Sequence, residues 1–281
     1  MIKDKKRKKI RKGNFFVGRK IAFFDIDGTL TSEIDGSVPE SAAAGIRRAR
    51  EKGHLMFINT GRCFQNVEPR FRQVGFDGYV CGCGLNIYCG GQELLYVPMS
   101  RPVKEEMLAQ ARLTGIEILF ESRMGVAYDL SRPLRSEKAV RLYQSFVERG
   151  YDLSIQPEQP DFVADKFVIW FQEPEQLEAF RKASDRYFAC IDRGGCFREF
   201  VPHGYSKATG LQFVLDHYGM SLEDAYGFGD SNNDLTMLQY LKHSVVMGNT
   251  ESKELLDCAS FVTKAASSGG LYYALEQLEF F

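Results

Sequence analysis

The sequence predicts an α/β protein, a Rossmann-like parallel sheet interrupted by an inserted α+β unit. Three observations carry this expectation. Short apolar runs, suited to strands buried on both faces, end abruptly in a polar group and a glycine, as in Ile21-Ala22-Phe23-Phe24-Asp25-Ile26-Asp27-Gly28. Helical patterns separate these runs at the spacing of βαβ units, which makes the strands parallel with right-handed crossovers. From about Leu85 to Phe200 the pattern changes to apolar alternation mixed with amphipathic helices, and it returns near Ser206.

The first run places Asp25 and Asp27 at a strand's carboxyl end, where open α/β sheets bind ligands. Two carboxylates this close need a cation between them, or one must take a proton. Ser37-Val38-Pro39-Glu40 reads as a capping box opening an alanine-rich helix to about Lys52, with Gly53 as its stop. Leu55-Met56-Phe57-Ile58 is the next strand, ending in Asn59-Thr60-Gly61-Arg62. Thr60 then emerges beside Asp25, where its hydroxyl and the following N–H can hold an anion. A third strand, Tyr79-Val80-Cys81, runs into Gly82-Cys83-Gly84. Cys81, Cys83 and Cys89 lack the paired spacing of zinc ligands, so buried thiols are expected there.

Within the middle region, helices are expected near 102–113, 136–149 and 174–188, with a strong strand at Phe167–Phe171. None of its strands ends in a carboxylate-glycine motif. Ser206 then reads as an N-cap, with Leu211, Val214, Leu215 and Tyr218 forming an apolar stripe and Gly219 the stop. Lys207 falls in the first turn, where the helix dipole disfavours a cation unless an anion shares the site. Ala225-Tyr226-Gly227-Phe228-Gly229-Asp230-Ser231-Asn232-Asn233-Asp234 is a further strand end. It brings Asp230 to the edge that holds Asp25 and Asp27, and three carboxylates around one point call for a hard divalent cation, best Mg²⁺. Asn233 and Asp234 can brace Lys207 or the metal's waters. Strand and helix alternate again to the end, at 245–247, 251–257, 261–262 and 271–278.

The 281 residues suffice for one large domain or two ordinary ones, and 44% hydrophobic with 26% charged residues suits a soluble core-forming chain. No apolar run reaches a membrane span, and no signal region follows the basic start. Seven cysteines in a chain this long do not form a disulfide framework, which points to a reducing, cytoplasmic setting. Residues 1–20 hold ten Lys or Arg against one Asp, whereas the remainder holds 26 basic against 36 acidic residues. The basic arm reads as a solvated tail rather than a nucleic-acid-binding segment.

Asp25-Ile26-Asp27-Gly28-Thr29, Thr60-Gly61-Arg62, Lys207 and Gly229-Asp230-Ser231-Asn232-Asn233-Asp234 resemble, in order, the four motifs of the haloacid dehalogenase (HAD) superfamily. The long insertion between the second and third motifs looks like the C2 cap of its Cof-type phosphatases. Met247-Gly248-Asn249 and Ser268-Gly269-Gly270-Leu271 extend the similarity. Cof-type members usually carry Asn-Gly-Ala after the third strand. This chain has Cys83-Gly84-Leu85, so the usual hinge and substrate contacts are not carried over there.

The charge distribution sets off a basic arm at 1–19, and the resemblance implies a HAD core formed by 20–83 and 199–281 and a C2-type cap at 84–198. It also implies a Mg²⁺-dependent phosphatase that hydrolyses small phosphorylated metabolites, such as sugar phosphates or phosphorylated cofactors. Asp25 would be the nucleophile and Asp27 the general acid–base group, with Thr60 and Lys207 holding phosphate oxygens. Mg²⁺ would take the Asp25 carboxylate, the Asp27 backbone carbonyl and Asp230. Gly28, Thr29, Gly61, Arg62 and Asn233 are assigned to substrate or phosphate binding, and Asp234 to a supporting role. Two alternatives stand beside this: a phosphotransferase or phosphomutase on the same scaffold, and a non-catalytic binder using the basic arm. Either a monomer or a homodimer is compatible with the sequence.

Overall fold

The computed structural model describes residues 18–281, so the basic arm lies almost wholly outside the described residues. Two sheets organise the rest. The first has the order β13-β12-β11-β1-β2-β3-β4-β5. Its members are β1 (Ile21–Phe24), β2 (Leu55–Asn59), β3 (Gly78–Cys81), β4 (Asn86–Cys89), β5 (Gln92–Tyr96), β11 (Ala225–Gly229), β12 (His243–Val246) and β13 (Phe261–Val262). Every pairing from β13 through β3 is parallel, while β3-β4 and β4-β5 are antiparallel.

Every residue of β1, β2 and β11 is buried, because helices cover both faces. On one face, α1 (Glu40–Glu51) and α9 (Gly270–Gln277) supply Ala42, Ile46, Leu271 and Leu275 against Phe24, Ile58 and Phe228. On the other, α6 (Lys207–Tyr218), α7 (Leu235–Tyr240) and α8 (Lys253–Cys258) cover Ile21, Phe23 and Phe57 with Leu211, Val214, Met237 and Leu255. Phe24 and Phe228 pack with ring centroids 4.6 Å apart directly beneath the strand ends. Strand β1 has β11 on one side and β2 on the other. The order therefore reverses at β1, and the crevice where such sheets bind ligands opens above Phe24.

The second sheet is antiparallel throughout, in the order β7-β6-β8-β10-β9. It comprises β6 (Glu117–Ser122), β7 (Gly125–Tyr128), β8 (Lys166–Trp170), β9 (Phe188–Asp192) and β10 (Phe197–Pro202). Helices α3 (Arg101–Thr114) and α5 (Pro174–Ser184) pack on one face, and α4 (Glu137–Glu148) on the other. The short helix α2 (Pro69–Arg72) lies between β2 and β3.

Two expectations change here. Division at 83/84 and 198/199 does not match the division between sheets. The β4–β5 hairpin continues the first sheet through β3, and β10 keeps the chain in the second sheet to Pro202. The apolar run Leu94–Val97, expected to open the inserted unit, belongs instead to an edge hairpin of the first sheet. The capping box at Ser37 also does not form: Pro39 occupies the N-cap position of α1, and the Ser37 hydroxyl donates to Asp35 (2.8 Å).

Candidate active site

Register places the functional groups. Phe24 pairs with Phe228 and Ile58, so Asp25 emerges between Gly229 and Asn59, one step before Asp230 and Thr60. The Asp25 N–H still donates to Phe228 O (3.0 Å), which fixes the direction of its side chain. After Asp25 the chain makes a wide turn through Gly28 at φ +75°. A Cβ at Gly28 would collide with the Asp230 carboxylate, so both conformation and contact require glycine.

Lys207 lies at the centre. Ser206 caps α6 by accepting from Thr209 N–H (3.2 Å), and Asn59 Nδ2 donates to the Lys207 carbonyl (2.9 Å). Its Nζ, fully buried, donates to Asp25 Oδ1 (2.6 Å) and Asp234 Oδ1 (2.5 Å). Burial works against the ammonium, but Asp234 and Asp25 outweigh it and raise the Lys207 pKa. The cation unfavourably placed in a first turn is thus neutralised by two carboxylates. Asp234 Oδ2 accepts from the Asp230 and Ser231 N–H groups (3.0 and 3.1 Å), so both Asp234 oxygens are committed and the residue braces the loop.

Burial pushes the Asp25 carboxyl up to about 6, with the charges of Asp234 and Asp27 adding and Lys207 opposing. Asp230 is pushed up to about 8 by burial and by Asp234 and Asp25. Its polar partners are weak: Thr29 Oγ1 at 3.3 Å and Asn249 Nδ2 at 3.4 Å. Carboxylate oxygens of Asp25, Asp230 and Asp234 lie within 4.8 Å of one another. Among the described residues the ammonium in their midst bonds Asp25 and Asp234 but not Asp230, which leaves Asp230 for a proton or a metal cation. That donor set, all hard oxygen, fits Mg²⁺.

Asp27 stands apart from this grouping. Its exposed carboxylate accepts from Arg62 Nε (2.9 Å) and Nη2 (2.5 Å). Partial burial opposes its charge, but the guanidinium prevails and lowers its pKa. Arg62, expected to contact substrate, is fully engaged here: Nη1 donates to Glu68 Oε1 and Asn66 O, both at 3.1 Å. Thr60 is buried, and its hydroxyl oxygen accepts from Arg62 N–H (3.1 Å).

A cavity of about 270 Å³ joins Asp25, Asp27, Thr60, Gly61, Arg62 and Asn233 to side chains of the second sheet and α4. Asn233 Oδ1 accepts from Ser231 Oγ (2.6 Å), which leaves its amide N–H groups for the cavity. Gly28 and Thr29, expected at the phosphate, lie beside Asp230: Thr29 donates to its carboxylate (3.3 Å), and the Gly28 carbonyl accepts from Asn249 Nδ2 (2.9 Å).

The second sheet contributes groups that local sequence did not single out. Lys166 donates to Glu121 and to Glu199 Oε1 (2.8 Å), and Cys83, at φ +57°, donates its thiol to the same Glu199 oxygen (3.4 Å). A Cβ on Gly61 would lie 3.1 Å from Glu199, so the second motif and β10 meet closely. The signal available for these residues was charge inside otherwise apolar strands, as in Asp165-Lys166-Phe167-Val168 and Arg198-Glu199-Phe200. None of the cysteines joins the acidic grouping, and all seven are free.

A family model described as haloacid dehalogenase-like hydrolase matches residues 22–275. YkrA of Bacillus subtilis, a protein named as a phosphatase, is 29% identical over 92% of this chain and 97% of its own length. An HMP-PP phosphatase of Serratia proteamaculans is 29% identical over 82% of this chain and 84% of its own. Among solved structures, a hypothetical protein of Geobacillus kaustophilus superposes with a TM-score of 0.80 at 26% identity, over 94% of this chain and 100% of its own. A HAD subclass IIB sugar phosphatase superposes at 0.79 with 22% identity, over 93% and 100% of the two chains, and shows the same fold of core and cap. With its four motifs at one crevice and the match spanning nearly all the described residues, the chain belongs to the haloacid dehalogenase-like hydrolases.

Proposed function

We propose that this hydrolase is a Mg²⁺-dependent phosphomonoesterase acting through an aspartyl-phosphate at Asp25. The observation that carries the reading is Asp25 itself. It is buried at a strand end, one oxygen gripped by Lys207 and the other free of protein hydrogen bonds among the described residues, in a cavity shared with Asp27 and Thr60. At about 6, its pKa leaves it mostly ionised at neutral pH.

The free Asp25 oxygen attacks phosphorus as the bond to the leaving oxygen breaks, and Asp27 gives that oxygen a proton. Asp27 then takes a proton from the water that attacks phosphorus, which releases phosphate and regenerates Asp25. Arg62 holds Asp27 ionised, so Asp27 must leave this pair before it can carry a proton. The substrate's negative charge is the competing partner for Arg62. Thr60 and Asn233 N–H groups supply donors for phosphoryl oxygens. The carboxylates of Asp25 and Asp230, with the Asp27 backbone carbonyl, would hold Mg²⁺, which neutralises charge at the phosphoryl group.

The antiparallel sheet and its helices form the cap in this reading, closing the cavity and contacting the leaving group. A cavity of about 270 Å³ favours a small phosphorylated metabolite such as a sugar phosphate or phosphorylated cofactor. The names of the HMP-PP phosphatase and the sugar phosphatase support that class. Free cysteines throughout support a reducing, cytoplasmic setting. The test is phosphate release from a panel of such esters with Mg²⁺ and with chelator, followed by rapid quench and peptide mapping. Label on a residue other than Asp25, or full turnover by Asp25→Asn, defeats the reading.

A further inference from the structure

Among the described residues four cations line the cavity above Asp25, and three are already committed. Arg62 holds Asp27 and Glu68, and Arg149 donates to Glu68 (3.2 Å) and the Ser145 carbonyl (3.1 Å). Lys166 is enclosed between Glu121 and Glu199. The fourth is Arg193, which the four motifs do not include. Its side chain makes no hydrogen bond among the described residues, although its Nη1 is fully buried. The nearest carboxylate oxygen, Glu199 Oε2, is 3.5 Å away. A charge-assisted N–H···O bond to carboxylate is about 2.7–2.9 Å, so this is an ion-pair contact and not a hydrogen bond. The other Glu199 oxygen is taken by Lys166 and Cys83.

A buried guanidinium nitrogen without an acceptor is costly, so such groups are rare without a missing partner. The surroundings identify the partner. Arg193 sits in the turn between β9 and β10, held there by its own N–H to Phe197 O (3.2 Å) and by Gly194 N–H to Asp192 Oδ1 (2.7 Å). Strand β9 packs against the turn at 232–234. Arg193 therefore lines both the cavity over Asp25 and a second opening of about 440 Å³ that holds Asp230, Ser231 and Asn249. Burial opposes its charge, but Glu199 first and then Asp25 keep it protonated.

We infer that Arg193 is a further catalytic residue: it donates to the non-bridging oxygens of the phosphoryl group being transferred from substrate to Asp25. This rests on the phosphatase reading. Lys207 and Thr60 approach that group from the first sheet, and Arg193 completes the cradle from the second. A planar fork of donors suits a dianionic phosphoryl group and strengthens as charge gathers there in the transition state. Docking of the antiparallel sheet over the crevice is thereby tied to the charge of what lies inside.

The experiment compares the full chain with Arg193→Ala and Arg193→Lys, using an aryl phosphomonoester as substrate and orthovanadate as inhibitor. Arg193→Ala should lose about 10²- to 10³-fold in kcat/KM, the scale of removing one transition-state donor. Vanadate inhibition should weaken by at least about tenfold, millimolar guanidinium should restore part of the rate, and Arg193→Lys should fall between. A kcat/KM and vanadate affinity within about threefold of the parent, or a loss that guanidinium does not rescue and lysine does not lessen, would overturn the assignment. Should Arg193→Ala fail to fold, Arg193→Gln and Arg193→Lys carry the same readouts. If the parent protein neither turns over phosphomonoesters nor binds vanadate, the phosphatase reading falls and takes this one with it. An active parent with an indifferent Arg193→Ala sinks the Arg193 assignment alone.

Discussion

Replacing Lys207 with methionine keeps the length and apolar stem of the side chain and removes its charge. The Oδ1 atoms of Asp25 and Asp234 lie 2.6 and 2.5 Å from Nζ, so they are at most about 5 Å apart. Lys207 offsets their repulsion, and losing the attraction of its unit charge, about 4 Å from each carboxylate centre, removes about 4 kcal/mol at an effective dielectric constant near 20; Asp234 taking a proton gives back part of this, so Asp25 should rise by about two pKa units. Asp25 already stands at about 6 with Lys207 in place. Without it, Asp25 should pass neutrality and exist at pH 7 mostly as the un-nucleophilic acid. Loss of ionised Asp25 should cost about tenfold, and loss of a phosphate donor about 10²- to 10³-fold more.

The assay is kcat/KM against pH with an aryl phosphate. Its acid limb should shift alkaline by about two units in Lys207→Met, so raising the pH from 7 to 9 recovers about tenfold. Stability gives an independent reading. A carboxyl whose folded pKa is raised binds more protons folded than unfolded, so stability falls as pH rises from the unfolded to the folded pKa. For the parent that window runs from the ordinary Asp value to about 6. In Lys207→Met, with chelator present, it should extend to about 8, with about 3 kcal/mol more lost between pH 6 and 8. An acid limb and a stability profile that stay where the parent's lie would refute the reasoning.

Other outcomes follow from the same geometry. Asp27→Asn should slow turnover of alkyl phosphates by at least about 10²-fold, with a smaller loss for aryl phosphates that need less protonation. Equal losses across leaving groups would make Asp27 a structural residue. Mg²⁺ binding should release a proton below pH 8, because Asp230 at about 8 must ionise to become a ligand. Apparent affinity should therefore rise by up to about tenfold per pH unit between 6 and 8. Calorimetry in buffers of different ionisation enthalpy measures this, and zero proton release would remove Asp230 from the metal site.

The grouping of the candidate site residues was readable in the chain because each member sits next to its own local signal. Asp25, Thr60 and Asp230 follow apolar runs whose parallel register is dictated by burial on both faces. Lys207 follows its N-cap serine. A strand end fixes where a side chain emerges, so three strand ends in one sheet necessarily share an edge. The commitments of the polar groups were not readable this way. Nothing in Thr60-Gly61-Arg62 says that Arg62 spends its guanidinium on Asp27 and Glu68, which are 35 positions before it and 6 after it.

Domain limits show the same divide. The hairpin at Asn86–Tyr96 and the strand at Phe197–Pro202 mix apolar and polar residues in no pattern that favours either sheet, and only backbone pairing assigns them. Arg193 marks the far end of that scale. In the chain it is one charge in a glycine-rich turn, 168 positions from Asp25. Its meaning comes from a hairpin of the second sheet being laid against the edge of the first. Local propensity and periodicity decide which segments form strands and which side chains leave their ends. Which charges then meet in the low-dielectric space between two sheets depends on long-range packing, because burial there sets both their pKa values and the need for a partner.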